Sequence, residues 1–527
     1  MNILSIFLYF IFFGFNFKNK IILQYKKLGT KKLLIFKIKN KLLNFKNKNT
    51  YKIDKFFITE CNIADSLHQY LYGRVINSRL FNILLINSIV NKKKFIYPLP
   101  VNYLKIMSQD VKINFYLSNL CWNLYLLYKI IFSFIIIFFT LFSFFKFKNN
   151  SINIYLNTDL NVEINKNINH KKINIFEWVI AKFKINKKVY FFHNIKNINK
   201  KKIIKKEYSL IYKKNNIVSI FYFNDLKLYF YTIVKIFLFL LICIFKSKKN
   251  YLIFLDEIFC YFLFNNKKKV FDLVFFDNSN FGFRPLWTFL NESIQKNSVH
   301  FFFYSTNNYS LSQFITEEKH YETLPIKLIN WPNYIFWNEK QLKWFKTITN
   351  KKFNCRIIEP GIFEGKNLLI KKTNFKRLII FDVAPKNNFE ISTLINPYNI
   401  YNFDYCMSFL NNIFEFTNKL EIEVFLKTKR NSLLRGDPMY CKNIKKFQNE
   451  KKIKKVILGN VSAESIIKHS DAVICIPFTS AALVAETMNV KSIYYDPTGR
   501  LNSNFNMSMR TPIIKNKLSL KKWIQNI

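Results

Sequence analysis

From Lys187 to the C-terminus, short apolar runs alternate with longer stretches of helical pattern, and this rhythm constrains the fold more than any other feature of the chain. Residues 189–192, 217–223, 273–276 and 299–304 are short, mostly uncharged and rich in β-branched and aromatic side chains, as buried strands are. Pro285 opens a predicted helix that runs to 295, since proline is tolerated in a first helical turn. A second alternation begins at Arg377, with predicted strands at 378–383, 422–426, 456–458, 472–476 and 492–495 and predicted helices at 404–418, 462–469 and 480–488. Strands that alternate with helices build parallel sheets covered on both faces. The expected fold class is therefore α/β, with two Rossmann-like parallel-sheet domains at 151–370 and 371–527 facing across a cleft. A mainly helical, apolar and basic region at 1–150 precedes them, and the Asn-rich stretch 149–169 reads as a linker or loop.

At 527 residues, two or three domains are expected, and a chain that is half hydrophobic can bury cores of that size. The formal charge of +50 raises the question of nucleic acid, because clustered cations bind phosphate backbones by releasing counterions. Nearly all of that charge is Lys, whereas sequence-specific readers rely on Arg forks, so no specific nucleic-acid partner is expected. Lys suits a membrane surface better, where each charge near anionic headgroups is worth about 1 kcal/mol. The apolar start, 1–17, has no basic region before it and no small-residue cleavage site after it, so no cleaved signal peptide is expected. Two further apolar segments, 121–145 and 228–245, carry Lys at their ends; they are either buried core helices or helices at a membrane interface whose Lys stems snorkel. Residues 18–55 hold 13 Lys against the single acid Asp54, which makes either a polybasic face against lipid or a solvated helix surface. The eight cysteines show no C-x-x-C and no zinc-like Cys/His spacing, as expected of single thiols in a reducing compartment.

The chain has no G-x-G-x-x-G, Walker loop, H-E-x-x-H or G-x-S-x-G, which counts against dehydrogenase, ATPase, protease and hydrolase chemistry. It also lacks a D-x-D pair, the usual metal clamp for a nucleotide-sugar diphosphate. A metal-independent nucleotide-binding enzyme without a cofactor remains. Residues 470–500 (SDAVICIPFTSAALVAETMNVKSIYYDPTGR) carry the strongest local signal. A strand ends at Pro477, which cannot continue the ladder, and Thr479 or Ser480 can cap the following helix. A helix start at the carboxyl end of a parallel strand is an anion site suited to a diphosphate, or else a plain capped helix.

The PFTS tetrad at 477–480, preceded by DAVI and followed by SIYYDPTG, resembles the signature of the bacterial polysaccharide biosynthesis PFTS motif family. Other stretches resemble that family in consistent order: FDNSN…RPLW at 276–287, FYSTN at 303–307, WPNYIFWNEKQ at 331–341, EPGIF at 359–363, FDVAP at 381–385, LKTKR at 426–430 and SAESII at 462–467. The resemblance covers 271 to the C-terminus, about half the chain. It implies a bacterial glycosyltransferase of the two-domain GT-B type acting on capsule or O-antigen-like polymers; the Lys-flanked apolar segments and the cysteines without pairing spacing add the expectation that it works at the cytoplasmic face of the inner membrane. Its partners would be a nucleotide-sugar donor and a glycan or lipid-linked acceptor. The strand–TS–helix order is also similar to the DYSS-type turn of teichoic-acid glycerophosphotransferases, so a CDP-alcohol phosphotransferase is the alternative enzyme. A non-catalytic basic membrane- or nucleic-acid-binding scaffold is the alternative outside enzymes. The chain departs from the family after Arg500, where NSNFNMSMRTPIIKN replaces a segment leading to an H-G pair.

On this resemblance the donor and phosphate side comprises Lys427, Lys429, Arg430, Ser462, Pro477, Phe478, Thr479, Ser480, Tyr495 and Asp496. Lys427, Lys429 and Arg430 follow a strand and either stabilise the leaving diphosphate in place of a metal or form a solvated basic turn. Asp496 either holds a ribose or sugar hydroxyl or caps the Asp-Pro turn. The acceptor side comprises Asn278, Ser279, Arg284, Trp287, Tyr304, Ser305, Thr306 and Asn307. A transferase that inverts needs a general base near the acceptor hydroxyl, for which Asp277 is the first candidate and Glu292 the second; a turn or cap role for Asp277 stays open.

Overall fold

Both predicted sheets form, and every ladder between their strands is parallel. A computed structural model of the chain describes residues 16–45, 63–140, 152–158, 175–193, 208–212, 226–245, 248–265, 271–277, 283–303, 325–349, 353–357, 374–394, 401–428, 436–459, 461–501, 508 and 510–527. The first sheet contains β1 (Ile152–Asn157), β2 (Val189–His193), β3 (Tyr208–Tyr212), β4 (Leu273–Asp277), β5 (Val299–Phe302), β6 (Asn333–Phe336) and β7 (Asn354–Ile357), in the order β3-β2-β1-β4-β5-β6-β7. The second contains β8 (Lys376–Phe381), β9 (Ile422–Lys427), β10 (Lys455–Ile457), β11 (Ala472–Cys475), β12 (Lys491–Tyr495) and β13 (Ile513–Ile514), in the order β10-β9-β8-β11-β12-β13. In each sheet the chain starts at the centre, works outward to one edge, then returns and builds the other half. That is the doubly wound order, and it leaves a crevice at the carboxyl ends where the direction reverses, between β1 and β4 and between β8 and β11.

Local chemistry explains the helices of the second sheet. Asn402 starts Phe403–Thr417 by accepting from Tyr405 N at 2.8 Å. Asp437 caps Pro438–Asn449, accepting from Met439 N and Tyr440 N, with the proline in the first turn where no N–H is needed. Apolar residues bury both faces of the sheet: Leu378, Ile380 and Ile474 pack under Phe403–Thr417, while Val473 and Cys475 pack under the helix Ala481–Thr487.

The structure corrects the linker reading of 149–169. Residues 152–157 are β1, the strand at which the first sheet begins, and Asn153 N is held by Asp272 Oδ2 at 2.7 Å. The Asn residues of INIYLN hid a strand whose pairing partners are more than a hundred residues away in one direction. β3, β6, β7 and β13 were also not anticipated, and the predicted strand at 217–223 lies outside the described residues. The N-terminal helices do not keep a core to themselves. One apolar cluster extends from Ile21 to Ile348, taking in the helices Phe17–Leu28, Lys32–Leu43 and Arg79–Asn91 with one face of the first sheet, and it receives Phe478, Leu483 and Leu501 from the second domain. Phe389 meets Phe17 edge to face at 6.0 Å, and Arg79 pairs with Glu390 at 3.8 Å.

Two long apolar helices, Phe115–Thr140 and Leu226–Phe245, run antiparallel. Tyr229 donates to Ile137 O at 2.9 Å near one end, and Trp122 Nε1 donates to Asn250 Oδ1 at 2.8 Å beyond the other. Among the described residues, no two cysteines are joined by a disulfide.

Candidate functional site

The reversal between β8 and β11 brings two distant sequence motifs to one edge. β11 is level with β8, Cys475 opposite Phe381, and Ile476 N donates to Phe381 O at 2.9 Å. The chain leaves β8 at Asp382 and β11 at the PFTS turn, so both emerge side by side at the carboxyl edge. β9, on the other side of β8, delivers Lys427 and Thr428 there, with Asp382 N donating to Lys427 O at 3.4 Å.

Asp382 is 2% exposed. Its Oδ2 accepts the hydroxyl of Tyr440, and its Oδ1 has no partner among the described residues. Burial pushes its carboxyl up to about 6, against the opposing pull of the Tyr440 hydroxyl and the Lys427 charge. Lys427 is also buried, and its Nζ donates to Thr428 O at 2.9 Å. Burial lowers its ammonium to about 8, with Asp382 acting to hold it up. A buried acid, a buried base and a buried hydroxyl thus share one edge, which is the kind of pairing that functional sites build.

These shifts have a sign. A carboxyl whose folded value is raised contributes stability that is present below its unfolded value near 4 and is lost as pH rises through about 6. The size is on the order of 3 kcal/mol. Asp382→Asn keeps an acceptor for Tyr440 and removes the buried charge. The variant is expected to melt higher than the parent at pH 7.5 and to lose the fall in Tm between pH 4 and pH 7. Parallel Tm–pH curves for the two proteins would show that this carboxylate is not buried in solution.

The PFTS turn differs from the expected cap. Phe478 adopts φ +63°, a left-handed backbone that a bulky residue takes only at a cost of roughly 1–3 kcal/mol. Packing and hydrogen bonds hold it there: its ring is buried in the cluster of the first domain, Tyr401 donates to Pro477 O at 2.7 Å and Tyr494 donates to Thr479 O at 2.9 Å. The twist directs Thr479 Oγ1 back to Ile476 O at 3.1 Å, so this hydroxyl closes the turn instead of capping the helix. Ser480 occupies the cap position with helical dihedrals and no side-chain cap bond, and the helix it precedes has only seven residues. Pro477 and Phe478 therefore shape the edge through packing and backbone geometry.

Three other donor-side residues are structural. Ser462 caps Ala463–Ile467, accepting from Ser465 N at 3.4 Å. Tyr495 lies fully buried on the face under Phe403–Thr417, where its hydroxyl accepts from Asn412 at 2.7 Å. Asp496 takes the turn role: Oδ1 accepts from Thr498 N and Oγ1, and Oδ2 accepts from Leu501 N at 2.9 Å. Gly499, at φ +68°, completes that turn. Lys429 and Arg430 lie outside the described residues.

On the first sheet, Asp277 ends β4 at the reversal and is fully buried, accepting from Thr158 Oγ1, beyond the end of β1, at 2.6 Å. Glu292 is not near it. Its carboxylate accepts from Asn297, Ser298 and Val299 N, which ties the turn into the amino end of β5, at the opposite edge of the sheet. Arg284 is likewise turned inward: it bonds Asn330 O at 2.7 Å and Thr288 Oγ1 at 3.0 Å, and lies 3.7 Å over the Phe289 ring. Trp287 is 0% exposed and stacks on Phe264 at 5.2 Å, which makes it a core residue and not an acceptor contact. Asn278, Ser279, Tyr304, Ser305, Thr306 and Asn307 lie outside the described residues. Asp382 was missed as a site residue although it sits within FDVAP; an acid directly after a predicted parallel strand was the available signal. Nothing local marked Tyr440.

Residues 236–524, more than half of the chain, match the family described as "Polysaccharide biosynthesis PFTS motif protein". No curated protein matches the chain. Among solved structures, sucrose-phosphate synthase from Thermosynechococcus elongatus is similar at 10% identity and a TM-score of 0.38, over 71% of this chain and 89% of that one. The wall teichoic acid polymerase TagF is similar at 10% identity and a TM-score of 0.33, over 71% and 79%. TarM is similar at 11% identity and a TM-score of 0.29, over 51% of each chain. Likenesses this distant assign no residue and no substrate.

Proposed function

Because the chain belongs to the polysaccharide biosynthesis PFTS motif family, we propose that it is a GT-B-type glycosyltransferase that moves a sugar from a nucleotide-sugar donor to a growing surface polysaccharide of the capsule or O-antigen type. The observation that carries the reading is the convergence of Asp382, Lys427, Thr428 and the PFTS turn on one carboxyl edge where the strand order reverses. Ligands of open α/β sheets bind in that position. The Lys427 ammonium, joined by Lys429 and Arg430, stabilises the departing diphosphate without a divalent metal; such charge acts strongly because the site is dry and the group is already in place. On the facing domain Asp277, held by Thr158, accepts the proton of the acceptor hydroxyl as its oxygen attacks the anomeric carbon. The acceptor is a glycan or a lipid-linked glycan. The protein works at the cytoplasmic face of the inner membrane, drawn there by its Lys-rich surface.

The same edge would also accommodate the diphosphate of a CDP-alcohol, so the product decides between the two enzyme readings. The test is transfer from UDP-, GDP-, dTDP- and CMP-sugars and from CDP-glycerol, each in excess EDTA, with nucleotide thermal shifts measured in parallel. Sugar transfer that survives EDTA is expected. Loss of activity that magnesium or manganese restores would overturn the metal-free mechanism, and transfer of glycerophosphate alone would replace the sugar donor. Salt-dependent DNA binding with no nucleotide shift would favour a scaffold over either enzyme.

A further inference from the structure

The antiparallel helices Phe115–Thr140 and Leu226–Phe245 have two unlike faces. Inward, Trp122, Leu126, Ile236 and Phe239 are buried in the apolar cluster that also holds the helix Leu255–Asn265. Outward, Leu120, Leu124, Leu127, Ile131, Ile135 and Phe138 follow one another at three- and four-residue spacing, and every one is exposed. Phe230, Val234, Phe237, Leu241 and Ile244 form the matching stripe on the second helix. Most of the large apolar side chains exposed on the described chain belong to these two helices. Soluble monomers seldom leave a contiguous apolar patch of more than a few hundred Å² in water.

Charge placement identifies what covers the stripes. Each helix has one lysine in its middle, and neither joins the outward row. Lys129 interacts with Asp256 and Glu257 and lies 5.6 Å over the Tyr70 ring. Lys235 lies 4.4 Å over Tyr231 and 5.6 Å over Phe262. Ionisable groups turn toward protein partners in this way where the outer medium is hydrocarbon. The polar groups Lys227, Asn123 and Lys249 collect at the ends instead, where Lys249 donates to Asn123 at 2.8 Å. The long apolar windows, Phe115–Phe138 and Lys227–Phe245, extend about 36 Å and 28 Å at 1.5 Å per residue. Both helices pack on the core of the first domain from one end to the other, through Trp122, Leu126 and Ile137 and through Tyr229, Ile236 and Cys243, and this suits helices that lie along the plane of a leaflet.

We propose that this antiparallel pair is immersed by its outer stripes in the acyl chains of one leaflet, and so fixes the cleft at the lipid surface. The inference rests on the membrane-face reading above and deepens it from attraction by charge to insertion into hydrocarbon. The full chain is tested by flotation with neutral phosphatidylcholine vesicles in 1 M NaCl, beside vesicles containing anionic lipid at low salt. The expected result is flotation with both. Leu124→Gln, Ile131→Gln and Leu241→Gln together, all on exposed positions, should lower binding to neutral vesicles at least tenfold at unchanged Tm. Flotation only with anionic vesicles, reversed by salt, would overturn insertion while leaving the membrane-face reading in place. Failure to float with either would remove both. A lipid-free dimer that these three substitutions dissociate would assign the stripes to a second copy of the chain and overturn the proposal, as would equal flotation of parent and variant.

Discussion

Replacing Lys427 by methionine is expected to lower sugar transfer by about 10²–10³-fold, the loss typical of removing one preorganised electrostatic contact, while leaving the protein folded. Lys427 has the right position, at the carboxyl end of β9 beside Asp382, and the right surroundings, because burial keeps water from screening its charge. The same burial makes methionine a mild change for folding. The folded state already disfavours the ammonium, whose value falls to about 8, so an apolar chain of similar length relieves that penalty. What remains is Asp382 without its nearby cation, and Asp382→Asn should correct this: the double variant is expected to be at least as stable as the parent and as inactive as the single one. A pH profile separates the ammonium from a merely structural lysine. A charge required in the free enzyme makes kcat/KM fall as pH rises through about 8. Measured transfer equal to that of the parent, at equal Tm, would show that the donor's charge is held elsewhere.

Trp287→Ala is expected to destabilise the first domain by about 3–5 kcal/mol, the usual loss for deleting a large buried aromatic. Its indole stacks on Phe264 at 5.2 Å, meets Tyr155 edge to face at 5.4 Å and lies 5.8 Å from Phe271. It therefore joins β1 and the helices Leu255–Asn265 and Trp287–Ile294 in one aromatic cluster. Total stabilities of 5–15 kcal/mol leave little margin for such a loss. Early melting and rapid proteolysis of residues before about 350 should follow, and Trp287→Phe should recover much of the stability. A Trp287→Ala protein with the parent's Tm and a raised acceptor KM would instead return this residue to the acceptor site.

Several features of the protein are written in short-range pattern. β-Branched and aromatic runs of four to six residues marked β2, β4, β5, β8, β9, β11 and β12, because a strand buried on both faces leaves little room for charge. The proline that opens PFTS and the Asp-Pro turn after it marked where β11 and β12 end, and the two long apolar segments appeared as helices. These signals are local, so they survive being read one window at a time.

Long-range assembly decided the rest. INIYLN was indistinguishable from a loop until β2 and β4 paired with it on both sides. Asp277 ranked first and Glu292 second as candidate bases, and only assembly shows how far apart they lie: one stands at the carboxyl end of β4 and the other tethers the amino end of β5. Thr479 carries the hydroxyl expected of a cap, but the left-handed Phe478, held by the core of the other domain, turned it back on Ile476. The bond from Tyr440 to Asp382 spans 58 residues, and the burial that raises this acid exists only once β8, β9 and β11 lie side by side. Hydrophobic period can be read from neighbours a few positions apart, whereas desolvation and hydrogen-bond partnership depend on which distant strands become adjacent.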